Sequence, residues 1–308
     1  MAGDPILELR SVDAERGGYL VLGEVSFALA EGETVYFMGA AGSGKSALLK
    51  TAAGIQVATA GEVLYRGRDL ARMSRREEAE FRARTGFVFQ DAALWANQSL
   101  YDNLALPLRI HRRGASPAEV DRAVRRAAEL VGYDEDLKAR PADLSQGERR
   151  LVGLARALVL DPELLFMDEP AENLDEEAVE RVREIEAALK SRGRTLLVAS
   201  SSSEAASRYA DRVGVLKGGR LLALGGLAEA AAWTDPALRS VTGRLRPRAA
   251  APAPDWASGL AGAWAEAMAA DGARPAAPAP GASEEPGGGG PALGDIINDV
   301  EGPKEGDT

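Results

Sequence analysis

The chain of 308 residues contains no cysteine. Disulfide bonds and thiolate metal sites are therefore excluded, and the composition suits a reducing compartment such as the cytosol. Long apolar segments are also lacking, since no run of about 18 apolar residues occurs, and the first residues lack the basic and apolar parts of a signal peptide. We therefore expect a chain that neither crosses a membrane nor carries a targeting segment, although it can dock on a membrane protein.

Basic residues are fewer than acidic ones, because 37 Lys and Arg face 47 Asp and Glu and leave a net charge of −10. Most of this imbalance lies in the last part of the chain. From residue 249 onward two basic side chains oppose ten acidic ones, a difference of −8 that leaves −2 for the rest. No cluster of basic residues resembles a nucleic-acid-binding surface, so we expect no nucleic-acid partner.

Residues 247–308 differ from the rest in being rich in Ala, Pro and Gly. Such a segment buries too little apolar surface to offset its ordering entropy, which predicts a disordered acidic tail. Within it, large apolar residues recur at every fourth position and place two tryptophans on one helix face. They are Trp256, Leu260, Trp264 and Met268. Residues 255–269 are therefore either a stray amphipathic turn or a helix that docks in a groove of a partner.

A glycine-rich run, GAAGSGKS at residues 39–46, follows the apolar run 34–38 and leads into a helix start. This order of strand, turn and helix is typical of a phosphate-binding loop, in which backbone N–H groups and the helix dipole face phosphate oxygens. Lys45 is then expected at the β- and γ-phosphates and Ser46 on Mg²⁺. The candidate nucleotide-binding residues of the run are Gly39, Ala40, Ala41, Gly42, Ser43, Gly44, Lys45, Ser46 and Ala47.

The remainder of residues 1–246 alternates between strand and helix patterns. The apolar run before Asp168 and Glu169 predicts a buried parallel strand with carboxylates at its carboxyl end. Ser74 and Ser116 begin capping boxes, and residues 91–160 are mostly helical. Short strands are predicted at residues 6–9, 19–22, 25–27 and 61–67, the last as an edge strand, and one closing helix at residues 227–242. The predicted fold class is α/β, with a parallel core sheet, a small antiparallel sheet and a helical insertion.

Four further motifs follow the phosphate loop in order: FQ at 89–90, LSQGE at 144–148, LLFMDEP at 164–170 and NLD at 173–175. With them the chain resembles the nucleotide-binding subunits of ATP-binding cassette (ABC) proteins over residues 6–241. The resemblance implies the P-loop NTPase fold of ABC ATPases, with a RecA-like core and a helical signature subdomain at about residues 91–160. It also implies ATP and Mg²⁺ as cofactors.

The resemblance implies a task for each matching residue. Asp168 is expected to hold Mg²⁺ with Ser46, Glu169 to act as general base or orient the attacking water, and Gln90 to complete the metal and water shell. In the family the signature caps the γ-phosphate bound by a second subunit, so two chains, here a homodimer, meet head to tail. The residues expected to act in trans are Ser145, Gln146, Gly147 and Glu148, and the D-loop residue is Asp175.

Several stretches are similar to the ATPase subunit of the Mla (maintenance of lipid asymmetry) type, which serves transporters built with MCE-domain proteins. They are residues 86–94, residues 99–108 with His111, and residues 235–239. Arg16 takes the position where most ABC ATPases stack adenine on an aromatic, and a guanidinium can stack on a purine by cation–π contact.

The Mla resemblance implies phospholipid transport, with integral membrane permease subunits and an MCE-domain lipid-binding protein as partners. The chain is then expected on the cytoplasmic face of the inner membrane. Residues 91–108 are expected to meet the permease, and Trp95 and Tyr101 are candidate contacts or ordinary packing residues.

Ser200 stands where the family usually carries a switch histidine. A hydroxyl has no cationic form near neutral pH, and losing such a partner typically costs ~10²–10⁴-fold in rate. Gln146 and Glu148 also replace the usual Gly and Gln. We therefore expect a slow transport ATPase, with two alternatives: a degenerate ATP-binding partner or regulatory subunit, or an ATPase of the cell-division or lipoprotein-release type. A soluble ABC protein of DNA repair or translation is disfavoured by the single cassette and the acidic charge.

Overall fold

The computed structural model describes residues 4–247. Its strands are β1 Leu7–Arg16, β2 Tyr19–Leu29, β3 Thr34–Met38, β4 Ala60–Tyr65, β5 Arg68–Asp69, β6 Thr85–Val88, β7 Leu164–Asp168, β8 Thr195–Ala199, β9 Arg212–Lys217 and β10 Arg220–Gly226. Its α-helices are α1 Lys45–Ala52, α2 Arg75–Arg84, α3 Leu100–His111, α4 Pro117–Leu130, α5 Gln146–Leu158, α6 Glu176–Ser191, α7 Ser203–Tyr209, α8 Leu227–Ala232 and α9 Pro236–Thr242.

A six-stranded sheet in the order β10-β9-β3-β8-β7-β6 forms the centre of the fold. Its strands are parallel except for β10, which closes the edge as an antiparallel hairpin with β9. Every residue of β3, β7 and β8 is buried, which explains why these strands are continuous apolar runs rather than alternating ones. Because the three strands run in the same direction, their carboxyl ends meet at one edge of the sheet.

Side chains alternate between the two faces of this sheet and fill two separate cores. Tyr36 and Met38 of β3 belong to a core shared with the helices α3 to α6. Val35 and Phe37 of the same strand belong to the other core, which contains α1 and the small sheet. The predicted parallel α/β core is confirmed.

The small antiparallel sheet has the order β2-β1-β4-β5. A turn at Gly17 and Gly18, with φ of 59° and 77°, joins β1 to β2. Residues 19–27 form one strand, where two were predicted, because β2 continues through an irregular residue, Glu24, with φ 54°. The Glu24 N–H donates to Asp13 Oδ1 at 2.7 Å, which supports this bend in the absence of a ladder partner.

Two other predictions about element boundaries are wrong. Strand β4 is not an edge strand, since it pairs with β1 on one side and with the short β5 on the other. The closing helix over residues 227–242 is two helices, because Asp235 caps a new start at Pro236, where the ring cannot continue an α-helical hydrogen-bond ladder.

The helical insertion consists of α3, α4 and α5, each begun by a serine N-cap. Ser99, Ser116 and Ser145 accept from the third residue of their helices. The capping boxes predicted at Ser74 and Ser116 are confirmed. Within residues 4–247 no helix has the length and apolarity needed to cross a bilayer. The proposed docking helix at 255–269 and the rest of the 247–308 region lie outside the described residues, apart from residue 247.

A carboxylate is buried in the core beneath β3. Glu186 of α6 is 2% exposed and accepts a hydrogen bond from Tyr36 Oη at 2.9 Å. Burial raises the pKa of Glu186 to about 7, although Tyr36 and Arg183 favour the charged form. Burial also raises the pKa of Tyr36, which therefore remains a donor at neutral pH. Between about pH 4.5, the value of a free Glu, and pH 7 the folded chain thus binds more protons than the unfolded one.

We predict that Glu186→Gln stabilises the chain above pH 7. The free energy of unfolding of the wild type falls as pH rises from 4.5 to 7, because ionisation of a buried carboxyl opposes folding. Gln keeps an acceptor for Tyr36 and removes this loss, up to about 3 kcal/mol. Urea unfolding at pH 5 and pH 8 measures the effect, with Glu177→Gln on the exposed side of α6 as control. An equal difference between variant and wild type at both pH values would contradict the prediction.

Candidate functional site

The glycine-rich loop connects β3 to α1 at the carboxyl edge of the sheet. Gly44 caps α1 with φ 104°, a conformation that a side chain would strain. A Cβ on Gly39 would lie 2.5 Å from both Leu216 O and Ser43 Oγ. The Ser43 Oγ atom is buried and has no hydrogen-bond partner. A buried hydroxyl without a partner and a helix start without a side-chain cap are both suited to an anionic ligand.

Lys45, the first residue of α1, points back into this loop. Its Nζ donates to Gly39 O at 2.8 Å and lies 3.4 Å from Glu169 Oε1. Lys45 and Glu169 are each 8% exposed. Glu169 follows β7 directly, with φ 46°, and its N–H donates to Ala199 O of β8 at 2.8 Å. The structure therefore brings together the lysine and the carboxylate that the sequence separates by more than a hundred residues.

Ser46 and Asp168 form the second link between the loop and β7. The Ser46 hydroxyl donates to Asp168 Oδ1 at 2.8 Å. Burial raises the pKa of Asp168, and the Ser46 hydrogen bond acts in the opposite direction. A hydroxyl and a carboxylate in contact form an all-oxygen donor set, which suits a hard cation such as Mg²⁺.

Gln90 lies beyond the end of β6 and is exposed. Its amide Nε2 donates to Glu172 Oε2 at 2.7 Å. The backbone carbonyl of Glu172 in turn accepts from the guanidinium of Arg150, on the signature helix α5. Glu172 therefore connects the end of β7 to the segment of Gln90 and to the signature helix α5, which the motifs identify separately. The sequence offered no local signal for Glu172 or Arg150, because their partners are distant in the chain.

The predicted switch residue Ser200 begins the segment after β8. It is 6% exposed, its N–H donates to Phe37 O at 3.1 Å, and its Oγ accepts from Ser202 N at 3.1 Å. The next residue, Ser201, is the one that contacts Glu169, through its N–H at 2.9 Å and its hydroxyl at 3.3 Å from Oε2. Ser201 was not identified from the sequence, because the family pattern draws attention only to position 200, where the histidine usually stands.

The signature residues lie at the start of α5. Ser145 N donates to Glu148 Oε2 at 2.7 Å, and Glu148 N donates to Ser145 Oγ at 3.2 Å. These contacts lower the pKa of Glu148, which is therefore charged at neutral pH. Ser145 and Gln146 are exposed, and Gly147 is half-buried. The D-loop residue Asp175 caps α6 by accepting from Ala178 N at 2.8 Å.

Arg16 ends β1 at the tip of the small sheet and is exposed. Its cross-strand partner is Tyr19, whose side chain is 79% exposed. Stacking of Arg16 on adenine stays a prediction, and Tyr19 is a neighbouring aromatic that the sequence did not single out. His111, at the end of α3, is half-buried, and burial followed by the charge of Arg82 lowers its pKa.

Together these contacts define a nucleotide-binding P-loop ATPase site, with a phosphate-binding loop facing two strand-end carboxylates. The family model described as "ABC transporter" matches residues 22–172. The cell division ATP-binding protein FtsE of Escherichia coli K12 is 37% identical over 205 residues, which cover 67% of this chain and 91% of FtsE. The molybdate/tungstate import ATP-binding protein WtpC of Pyrococcus horikoshii is 39% identical over 66% of this chain and 57% of its own length.

Solved structures give the same result. The dimeric ATP-binding cassette MJ0796, in a post-hydrolysis state bound to ADP and Pi, is 28% identical, with a TM-score of 0.67 over 71% of this chain and 98% of its own. The cbiO1 protein of Clostridium perfringens, part of the cbiONQ complex, is 26% identical, with a TM-score of 0.63 over 79% of this chain and 96% of its own. The chain belongs to the ABC transporter ATP-binding proteins, and it is an ATPase with the ABC ATPase fold.

We predict that Gly39→Ala weakens ATP binding by about fivefold or more. The added methyl group would collide with Leu216 O and Ser43 Oγ and push the loop away from α1, and such overpacking typically costs about 1–3 kcal/mol. Equilibrium binding of a fluorescent ATP analogue measures the change. Gly114→Ala, in the open loop between α3 and α4, is the control because no atom lies within 4 Å of its Cβ position. Wild-type affinity in Gly39→Ala would show that the close packing of this loop is not needed for binding.

Proposed function

We propose that this chain is the motor subunit of a membrane transporter, in which ATP binding closes a dimer of two chains and hydrolysis reopens it. The observation that carries the proposal is the joining of the phosphate-binding loop to the end of β7. Lys45 meets Glu169 there at 3.4 Å, and Ser46 meets Asp168 at 2.8 Å. Cation, hydroxyl and two carboxylates at one edge of a parallel sheet are the groups that phosphoryl transfer requires.

Each side chain has a distinct task in this proposal. Lys45 and the N–H groups at the start of α1 bind the β- and γ-phosphates, and Ser46 and Asp168 hold Mg²⁺ with Gln90. The metal ion, when bound, neutralises phosphate charge. Glu169 takes a proton from the attacking water as general base.

Gly147 supports the proposal of a head-to-tail dimer. A Cβ at this position would meet Leu174, Asp175 and Ser145 only at 3.8 to 4.0 Å, which is ordinary contact. Glycine inside a helix is less favourable than alanine by about 1 kcal/mol. Since packing within the described part of the chain does not require glycine here, we infer that a second chain approaches the start of α5.

We predict that Glu169→Gln forms a stable dimer with ATP and Mg²⁺. Gln keeps the shape of the side chain but cannot accept a proton, so ATP remains bound and the two chains stay together. Size-exclusion chromatography with light scattering measures the dimer, and phosphate release measures the loss of turnover.

Gly147→Ala in the Glu169→Gln background is the matched test of the proposed interface. It should leave ATP binding unchanged, keep or slightly raise the thermal stability, since alanine favours the helix, and abolish the dimer, because the methyl group occupies the approach surface. A dimer that persists in this double variant would reject the head-to-tail arrangement, while a monomeric Glu169→Gln with bound ATP would reject the ATP-closed dimer itself.

The segment between β6 and α3 supports docking on a permease at the cytoplasmic face of the membrane. Trp95 is 57% exposed, although it is a large aromatic. The buried Asn103 fixes its backbone, with Trp95 N donating to Asn103 Oδ1 at 2.7 Å and Asn103 Nδ2 donating to Trp95 O at 3.2 Å. A rigid backbone that presents an exposed indole suits a protein contact. Tyr101 is half-buried against the helical core, which suits packing more than docking.

For the transported molecule, we propose phospholipid in a system of the Mla type with an MCE-domain partner. The support is the similarity of residues 86–94 and 99–108 to that type, together with Arg16 in place of an aromatic. A second candidate is an ATPase of the cell-division type, which is favoured by the 37% identity to FtsE over 91% of the length of FtsE.

We predict that the full chain copurifies with an integral membrane permease and an MCE-domain protein. Affinity purification from detergent-solubilised membranes of the source organism, followed by mass spectrometry, identifies them. Trp95→Ala should reduce recovery of the permease without changing ATP binding, and Tyr19→Ala, which removes an aromatic that is 79% exposed on the small sheet, is the control. Recovery of a permease without any MCE-domain protein would favour the cell-division candidate.

A further inference from the structure

Glu169 is held from several sides at the carboxyl end of β7. Its φ of 46° lies in the left-handed region, which non-glycine residues adopt when surrounding contacts hold them there. One such contact is the hydrogen bond from Glu169 N to Ala199 O at 2.8 Å. The backbone from which the carboxylate extends is therefore fixed by local contacts.

The two carboxylate oxygens of Glu169 have different partners. Oε1 lies 3.4 Å from Lys45 Nζ, whereas Oε2 accepts from the N–H of Ser201 at 2.9 Å and from its hydroxyl at 3.3 Å. Lys45 also serves the phosphate-binding loop, where it donates to Gly39 O at 2.8 Å. Ser201 lies outside that loop. It can therefore fix Oε2 whichever partner Lys45 has.

Ser200 explains how Ser201 reaches Glu169. Ser200 N donates to Phe37 O of β3, and Ser200 Oγ accepts from Ser202 N at 3.1 Å. A hydroxyl that accepts from the N–H two residues on closes a tight turn. This turn aims the N–H and the hydroxyl of the residue between them at Glu169 Oε2.

The identity of residue 201 also fits this contact. Residues 200 and 201 are both serine, so neither position carries a charge. An aspartate reaching Oε2 would bring a second carboxylate against Glu169, and two like charges at such a distance repel each other. Serine supplies a donor in its place.

We propose that Ser201 is a positioning residue for ATP hydrolysis. Its N–H and hydroxyl hold Oε2 of Glu169, so that Oε1 faces the water from which Glu169 takes the proton. The inference rests on the proposed role of Glu169 as general base. The family pattern predicts a side chain at position 200 that contacts phosphate. In this inference the important contact is instead the one from Ser201 to the Glu169 carboxylate.

The test is single-turnover hydrolysis of γ-labelled ATP by the full chain with Mg²⁺, which registers slow rates. Ser201→Ala removes one donor to a charged acceptor, so the maximal rate should fall about tenfold. The ATP concentration for half-maximal rate should stay within about twofold, because binding is not involved. Ser201→Thr should recover the rate, and Ser201→Asp should lower it further than Ser201→Ala. Ser203→Ala, in the same serine run, should leave the rate unchanged.

Wild-type rates in both Ser201→Ala and Ser201→Asp would overturn the inference. So would an effect confined to the half-maximal ATP concentration, or an equal loss in Ser203→Ala, which would indicate a general disturbance of the segment. Failure of the underlying proposal looks different: Glu169→Gln would then hydrolyse ATP at the wild-type rate, whatever residue stands at position 201.

Discussion

The site depends on a buried ammonium that faces a buried carboxylate at the edge of the central sheet. Lys45 and Glu169 are each 8% exposed and lie 3.4 Å apart. A charge at either position would be costly without its partner, because both are withdrawn from water. Lys45 begins α1 and Glu169 follows β7, so the pair requires the loop after β3 and the end of β7 to share one edge of the sheet. The parallel order β3-β8-β7 satisfies this requirement. The part-buried Ser46–Asp168 contact joins the same two elements, since Ser46 follows Lys45 and Asp168 precedes Glu169.

The helical insertion is connected to this centre through Glu172. Its carboxylate accepts from Gln90, and its backbone carbonyl accepts from Arg150 on α5. Gln90 begins the segment that leads to the exposed Trp95, and α5 begins with the exposed signature residues. A movement of Gln90 therefore affects Glu172, the residue that also contacts Arg150 of the signature helix. The same short segment after β7 thus links the Glu169 carboxylate to two surfaces of the chain.

The sequence predicted best those features that are specified locally. The boxes at Ser74 and Ser116 and the glycine-rich turn between β3 and α1 depend on residues within a few positions of each other, and the structure has them as predicted. The small sheet was predicted less well. Ser11 and Glu24 adopt positive φ inside β1 and β2 although neither is glycine, so the sequence did not indicate that each strand continues through an irregular residue. The contacts of Ser201 and Glu172 were not predictable, since they join residues 32 and 82 positions apart whose types are unremarkable in isolation.

The contacts of Ser200 in the structure change the interpretation of this residue. A sequence motif compares residue 200 with a histidine and predicts a loss, because a hydroxyl offers no positive charge to phosphate. In the structure the hydroxyl of Ser200 is occupied by Ser202 N, and the adjacent Ser201 supplies two donors to Glu169. The two serines therefore act as one turn: the Ser200 hydroxyl closes it, and Ser201 supplies the donors to Glu169. Ser200 is 6% exposed, and its hydroxyl closes this turn. A histidine introduced at position 200 alone would have to fit this buried position, so the segment has to be considered as one unit.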